Sequence, residues 1–199
     1  MICVKHNLKH YLKIYVIKLG CLMRNIIMSI FKVTQKNNRR FGAALIAGFL
    51  GGNIASIVKF GCQFVLPPRP ANGGKPVLEL LNNLGLHTEK YVYTYSGAIK
   101  NYAAFSVHHL FSIFFAMLYA YLVEIFPVVK IWQGMLLAVG ITIGFHGIAL
   151  PVLGLSPPIW AISHQEFIAE LFGHILWAWT IEIFRRDIRN RITKESDAF

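Results

Sequence analysis

The chain has 199 residues, of which 55% are hydrophobic and only 15% charged, and its mean hydropathy is +0.51. A soluble domain of this size needs more polar surface, so the composition points to a polytopic membrane protein folded as one bundle. A net charge of +11 would suit nucleic acid, but the basic residues sit at the borders of apolar runs, as membrane anchors do, which argues against a nucleic-acid partner.

Residues 1–36 read as a basic N-terminal extension. Lys5, His6, Lys9, His10 and Lys13 share one side of a helical wheel opposite Val4, Leu8, Tyr11, Leu12 and Tyr15, which suits an interfacial helix. No clean signal-peptide core is present, and Met28 is the expected start of translation, leaving residues 1–27 upstream of it. Cys3, Cys21 and Cys62 have no paired spacing and support neither a disulfide framework nor a zinc knuckle.

The four-span domain is expected over residues 37–194, with a short polar tail at 195–199. The first span, about 41–66, carries Ala44, Gly48, Gly52 and Ser56 at every fourth position. Such a stripe lets another helix approach closely, either within the bundle or in a homo-oligomer or membrane partner. Pro67–Pro70 and Asn72–Gly74 open a long loop, and a short helix is expected within Lys75–Leu86. Tyr91, Tyr93 and Tyr95 resemble an interfacial aromatic belt.

The second span is expected at about 103–126, with a helix that could begin nearer Tyr95. His109, Ser112, Ala116 and Ala120 share one face, and His108 lies about 100° away, so His109 is assigned to the seam. A third span at about 131–150 places His146 at the end of a Gly134, Ala138, Thr142 series. The fourth, at about 164–184, opens with a Ser163–Glu166 capping box and closes on Arg185, Arg186, Arg189 and Arg191. Glu166, Glu170 and His174 lie within one arc of it.

Nine Lys and Arg flank the N-terminal, 127–130 and C-terminal sides, against four on the other loops, which predicts both termini in the cytoplasm. The fold class is thus an all-α, four-helix membrane bundle, N-in and C-in, with the lipid bilayer as its first partner. In that orientation Lys59, His109, His146, Glu170 and His174 all fall about 7–15 Å below the outer boundary. Ionisable groups in spanning helices are costly and usually face protein or water. Glu182 and Arg186, four residues apart at the inner boundary, are expected to pair.

Several stretches resemble the YagU family of bacterial inner-membrane proteins: NNRRFG (37–42), IVKFGCQFVLPPRP (57–70), VEIFPVVKIWQG (123–134), LGLSPP (153–158) and ELFGHILWAWTIEIFRRDIRNRIT (170–193). The resemblance spans about residues 37–194 and implies a multi-pass protein of the inner membrane, without a settled biochemical activity and associated with acid tolerance. It further implies that Lys59, His109, His146, Glu170, His174 and Glu182 occupy positions where the family carries these residue types. The extension before Met28 departs from the family pattern, and the first outer loop is shorter than expected.

Three chemistries suit the polar layer. His109, His146, Glu170 and His174 are enough ligands for a tetrahedral metal ion, although Lys59 is a competing cation and the H-E-x-x-H and E-x-x-H spacings are absent. Histidines beside a carboxylate also make a proton-responsive cluster. The third reading is a hydrogen-bonded layer that fixes helix register. No nucleophile arrangement and no phosphate loop is visible, so the chain reads as a non-enzyme without a cofactor. The functional expectation is a proton-responsive contribution to acid tolerance, with a non-catalytic scaffold or subunit as the alternative and a small ion or metal transporter or channel as the second.

Overall fold

The computed structural model describes residues 32–66 and 75–197, together with the isolated positions 18 and 20. The expectations for the N-terminal interfacial helix, for Met28 and for the Pro67–Gly74 loop lie outside the described residues. Four segments are long and apolar enough to cross a bilayer.

Helix α1 (Phe41–Val65) is the hub. Its small residues fall on two adjacent faces. Ala44, Gly48 and Gly52 are buried against α3 (Tyr102–Ile125), where a Cβ on Gly48 would stand 2.8 Å from Ala116 O and one on Gly52 2.8 Å from Ile113 Cα. Ala43, Ala47, Gly51 and Ala55 turn instead toward α6 (His164–Thr193), and a Cβ on Gly51 would lie 3.3 Å from Phe184 Cβ. Both neighbours therefore approach to near backbone contact, as small residues permit in lipid. The stripe Ala44, Gly48, Gly52, Ser56 is wholly buried inside one chain, the first of the two uses expected of it, and is not exposed as an oligomer or partner face. Large apolar side chains (Ile46, Phe49, Ile57, Leu110, Phe114, Ile148, Phe172) point outward, where hydrocarbon rather than water would receive them.

Three details differ from the sequence reading. The helix of the second span starts at Tyr102, not near Tyr95, because residues 92–101 pair as a hairpin, β1 (Val92–Tyr95) with β2 (Ala98–Asn101). Its two-residue turn, Ser96 and Gly97, has φ of +52° and +76°, the geometry that matches strand twist. Asn101 then caps α3 by accepting from the amides of Ala103 and Ala104.

The segment able to form the third span covers Pro127–Val152, but its regular helix begins later than residue 131. A 3₁₀ segment over Pro127–Gly134 is broken by extended Ile131 and by positive φ at Trp132, Gln133 and Gly134. Gly134 is required there twice over, since a Cβ would also meet the Tyr119 hydroxyl at 2.9 Å. The helix proper runs as α4 (Met135–Ile141), a π-helical stretch (Thr142–Ala149) and a last turn, α5 (Leu150–Val152). Finally, α6 has 30 residues, about 45 Å, so its arginine-rich end extends past a hydrocarbon core of about 30 Å. A short helix α2 (Pro76–Asn83) lies over one end of the bundle.

Candidate functional site

Beneath α2 the helices leave a cavity of about 190 Å3. Its walls are mostly apolar: Phe60, Val107, Phe111, Ile141, Phe145, Leu150 and Trp177, with Pro76, Val77 and Leu80 of α2 as the roof. Polar groups enter it from every spanning segment, namely Ser56 and Lys59, His108 and Ser112, His146, and His174.

The Lys59 ammonium donates to Glu170 Oε2 at 2.8 Å, with the two side chains 11% and 14% exposed. Gly173 makes this possible: Lys59 lies across α6 where a Cβ on Gly173 would be 2.7 Å from Nζ. His146 Nε2 stands 3.9 Å from the same carboxylate oxygen. It is carried there by the π-helical stretch, a winding that recurs at functional sites. The rings of His146 and His174 are 5.5 Å apart, and His174 Nδ1 is 3.1 Å from Thr142 Oγ1. The His174 ring also meets Trp177 edge-on. Trp177 is locked in turn, its indole donating to Ser112 Oγ at 2.7 Å while that hydroxyl donates to Gly52 O at 2.7 Å.

The structure thus brings together Lys59, His146, Glu170 and His174. It does not bring His109 among them. His109 lies between α1 and α3, with Nε2 3.0 Å from Asn53 Oδ1 and Nδ1 3.0 Å from Ser56 Oγ. Since Asn53 Oδ1 only accepts, Nε2 carries the proton and Nδ1 accepts from the serine. The cavity is lined instead by His108, edge-on to Phe60, a residue the sequence reading set aside. Adjacent histidines point about 100° apart, and α3 has neighbours on both sides, so both find protein.

His146, Glu170 and His174 offer ligand atoms within 4.8 Å of one another, the one such group among the described residues. His109 falls outside the four-residue metal set drawn from the sequence. The carboxylate oxygen nearest His146 is already taken by Lys59.

A second polar cluster closes the opposite end. Glu182, buried, accepts from the Tyr119 hydroxyl at 2.9 Å and from Arg185 at 2.6 and 2.9 Å. The expected partner, Arg186, is exposed and is not the partner. Three residues on from Glu182 lies about 60° to one side and four on lies about 40° to the other. Arg185, on the first side, is fully buried, and Gly51 of α1 packs close by on Phe184, Ile181 and the Arg185 backbone. Asp197 bonds both Arg185 and Lys130, the latter at 2.9 Å. Burial alone would raise its carboxyl, but the charges and hydrogen bonds of Arg185 and Lys130 outweigh that and hold it below the ordinary aspartate range. Arg189 donates to Glu124 at 2.7 Å, and the second oxygen of Glu124 accepts the Arg40 amide at 2.8 Å, fixing the start of α1. None of this involves Arg186, and only the basic collar was visible from sequence.

Four bilayer-length helices around a small-residue hub, sealed by buried ion pairs and enclosing ionisable groups, define a polytopic membrane protein. Residues 53–183 match the family model "Protein of unknown function (DUF1440)". Over 196 residues the chain is 37% identical to "Inner membrane protein YagU" of Escherichia coli (strain K12), covering 85% of this chain and 96% of that protein. The chain belongs to this family and is a multi-pass protein of the inner membrane. No solved structure matches it.

Proposed function

We propose that this protein is a non-enzymatic inner-membrane protein that contributes to acid tolerance through a proton-responsive polar layer, with both termini cytoplasmic and the layer toward the outer face. The observation that carries the reading is the shared carboxylate. Glu170 Oε2 holds Lys59 at 2.8 Å while His146 waits at 3.9 Å. A proton on His146 creates a second cation for one carboxylate oxygen. Among the described residues, Lys59 from α1, His108 from α3, His146 from the π-helical stretch and His174 from α6 line this cavity, with His109 one layer aside, and α2 lines it with Pro76, Val77 and Leu80. Glu170 cannot neutralise two cations: the attraction of about 4 kcal/mol it offers a unit cation about 4 Å away at an effective dielectric near 20 is contested by Lys59, and the two cations repel one another. Each added imidazolium therefore favours a looser, wetter arrangement.

The nine-to-four basic asymmetry supports the orientation. The test is labelling of a single cysteine at Val107, with an impermeant reagent, from about pH 7.5 to 5. Acid survival at matched protein levels is measured alongside. Labelling is expected to rise on acidification and the rise to be reduced in His146→Gln and His174→Gln. The alternative, a static scaffold or membrane subunit, draws on the opposite end of the bundle, where Glu124, Glu182 and Asp197 each hold a cation. Unchanged labelling and survival in both variants would decide for the scaffold.

A further inference from the structure

The roofed cavity combines features that a packing defect does not. Its volume of about 190 Å3 exceeds the roughly 150 Å3 of an engineered apolar cavity that takes up benzene. Phe60, Phe111, Phe145 and Trp177 supply ring faces and edges around it, while Lys59, His146 and His174 bring polar groups to one region. Apolar walls with a few convergent polar groups are the ordinary make-up of a small-molecule site. The wall is also held rigid, since Trp177 is tied through Ser112 to the α1 backbone. The roof is tied as well: Asn82 at the end of α2 accepts from the amide and hydroxyl of Thr88, and Thr88 O accepts from Asn101, the cap of α3.

Charge selects among occupants. Lys59 is already neutralised by Glu170, so a charged guest would bring an unbalanced ion into a poorly solvated space. A plain hydrocarbon would make no hydrogen bond to the polar groups that His146 and His174 bring to the wall.

We propose that the cavity beneath α2 binds a compact neutral aromatic molecule carrying one hydrogen-bonding hydroxyl, its ring among Phe111, Phe145 and Trp177 and its hydroxyl toward His146 and His174. This goes beyond the proton-responsive reading and is tested at fixed pH, so either can fail alone.

The probes are 4-bromophenol and bromobenzene, which share a ring and a quenching bromine and differ in the hydroxyl. Full-length protein in lipid nanodiscs, near pH 7.5 where unperturbed histidine is neutral, carries Trp177 as its one tryptophan. A second protein keeps only Trp160, which is exposed and reports partitioning into lipid. Saturable quenching of Trp177 by 4-bromophenol is expected, about tenfold tighter than by bromobenzene, the worth of one net hydrogen bond. Trp160 should show only linear quenching. Val107→Phe and, from the roof, Leu80→Phe should each abolish saturation in protein that still elutes as the native species, and His146→Leu should remove the preference for the phenol. Linear quenching of Trp177, or equal saturation by both probes, overturns the proposal; the latter identifies an apolar gap that any hydrocarbon fills.

Discussion

Gly173→Ala is the sharpest test of how the layer is built. The new methyl carbon would stand 2.7 Å from Lys59 Nζ and 3.2 Å from its Cδ, so the end of a flexible side chain must move while the backbone stays. Restoring ordinary contact pushes Nζ about 1 Å away, stretching the ion pair from 2.8 Å toward about 4 Å. At an effective dielectric near 20 that costs about 2 kcal/mol of attraction. Replacing glycine by alanine inside a helix returns about 1 kcal/mol. The single variant should therefore lose about 1 kcal/mol net. In a Lys59→Ala background the collision is gone, and the same change should stabilise by about 1 kcal/mol. The coupling, about 2 kcal/mol, is read from a double-mutant cycle of reversible unfolding in mixed micelles. Equal effects of Gly173→Ala in both backgrounds would refute the argument, because the glycine would then be serving something other than the lysine. The variant should also alter the pH dependence of labelling at residue 107, since it changes what Glu170 holds.

Gly52→Ala drives a methyl into Ile113 Cα and Ala116 Cβ and should cost about 1–3 kcal/mol or more, seen as a lowered Tm, whereas Gly61→Ala, which meets nothing, should leave Tm unchanged or slightly raised. Glu124→Gln strips the buried Arg189 of its counter-charge and should cost about 3–5 kcal/mol in the same assay. Asp197→Asn should cost about 1.5–3 kcal/mol. Because the native Asp197 carboxyl titrates below its ordinary range, its contribution is complete above about pH 4 and is lost only as the pH falls through that lower native value. A probe at Ser196 should accordingly stay immobile down to about pH 4.5, and mobility gained nearer neutrality would contradict the assignment.

Much of the bundle was legible because lipid imposes simple rules. Bilayer-length apolar runs gave the four spans, and four-residue repeats of small residues gave the face of α1 that α3 covers. The second small face, Ala43, Ala47, Gly51 and Ala55, is just as regular, and its recognition would have marked α1 as central. Counting residues from the ends of the helices put Lys59, His146, Glu170 and His174 at one level, and their side chains meet in the structure. Depth is not azimuth, however. His108 and His109 are separated only by rotation about α3, and Arg185 and Arg186 only by which side of Glu182 is covered. The break at Trp132 and Gln133 was hidden because left-handed backbone at such residues depends on tertiary contacts, here the Trp179 indole donating to Gln133 at 2.7 Å. The π-helical winding over Thr142–Ala149 likewise has no composition of its own.

The pairing of Glu124 with Arg189 has a consequence in time. The two residues are 65 positions apart, so at about 5–20 residues per second the carboxylate is made roughly 3–13 s before its partner. Throughout that interval α1 also lacks the helix that will cover its second face, although Glu124 can already accept the Arg40 amide at its start. The first three spans therefore sit in the membrane as an open set, with Glu124 lacking its arginine and Lys59 its carboxylate. Arrival of α6 supplies Arg189 to Glu124 and Glu170 to Lys59 in one event, and brings Glu182 and Arg185 already paired on its own surface. Assembly is gated by the last helix synthesised, and a nascent chain stalled before Glu170 presents quality-control proteases with Lys59 lacking its carboxylate and Glu124 lacking its arginine.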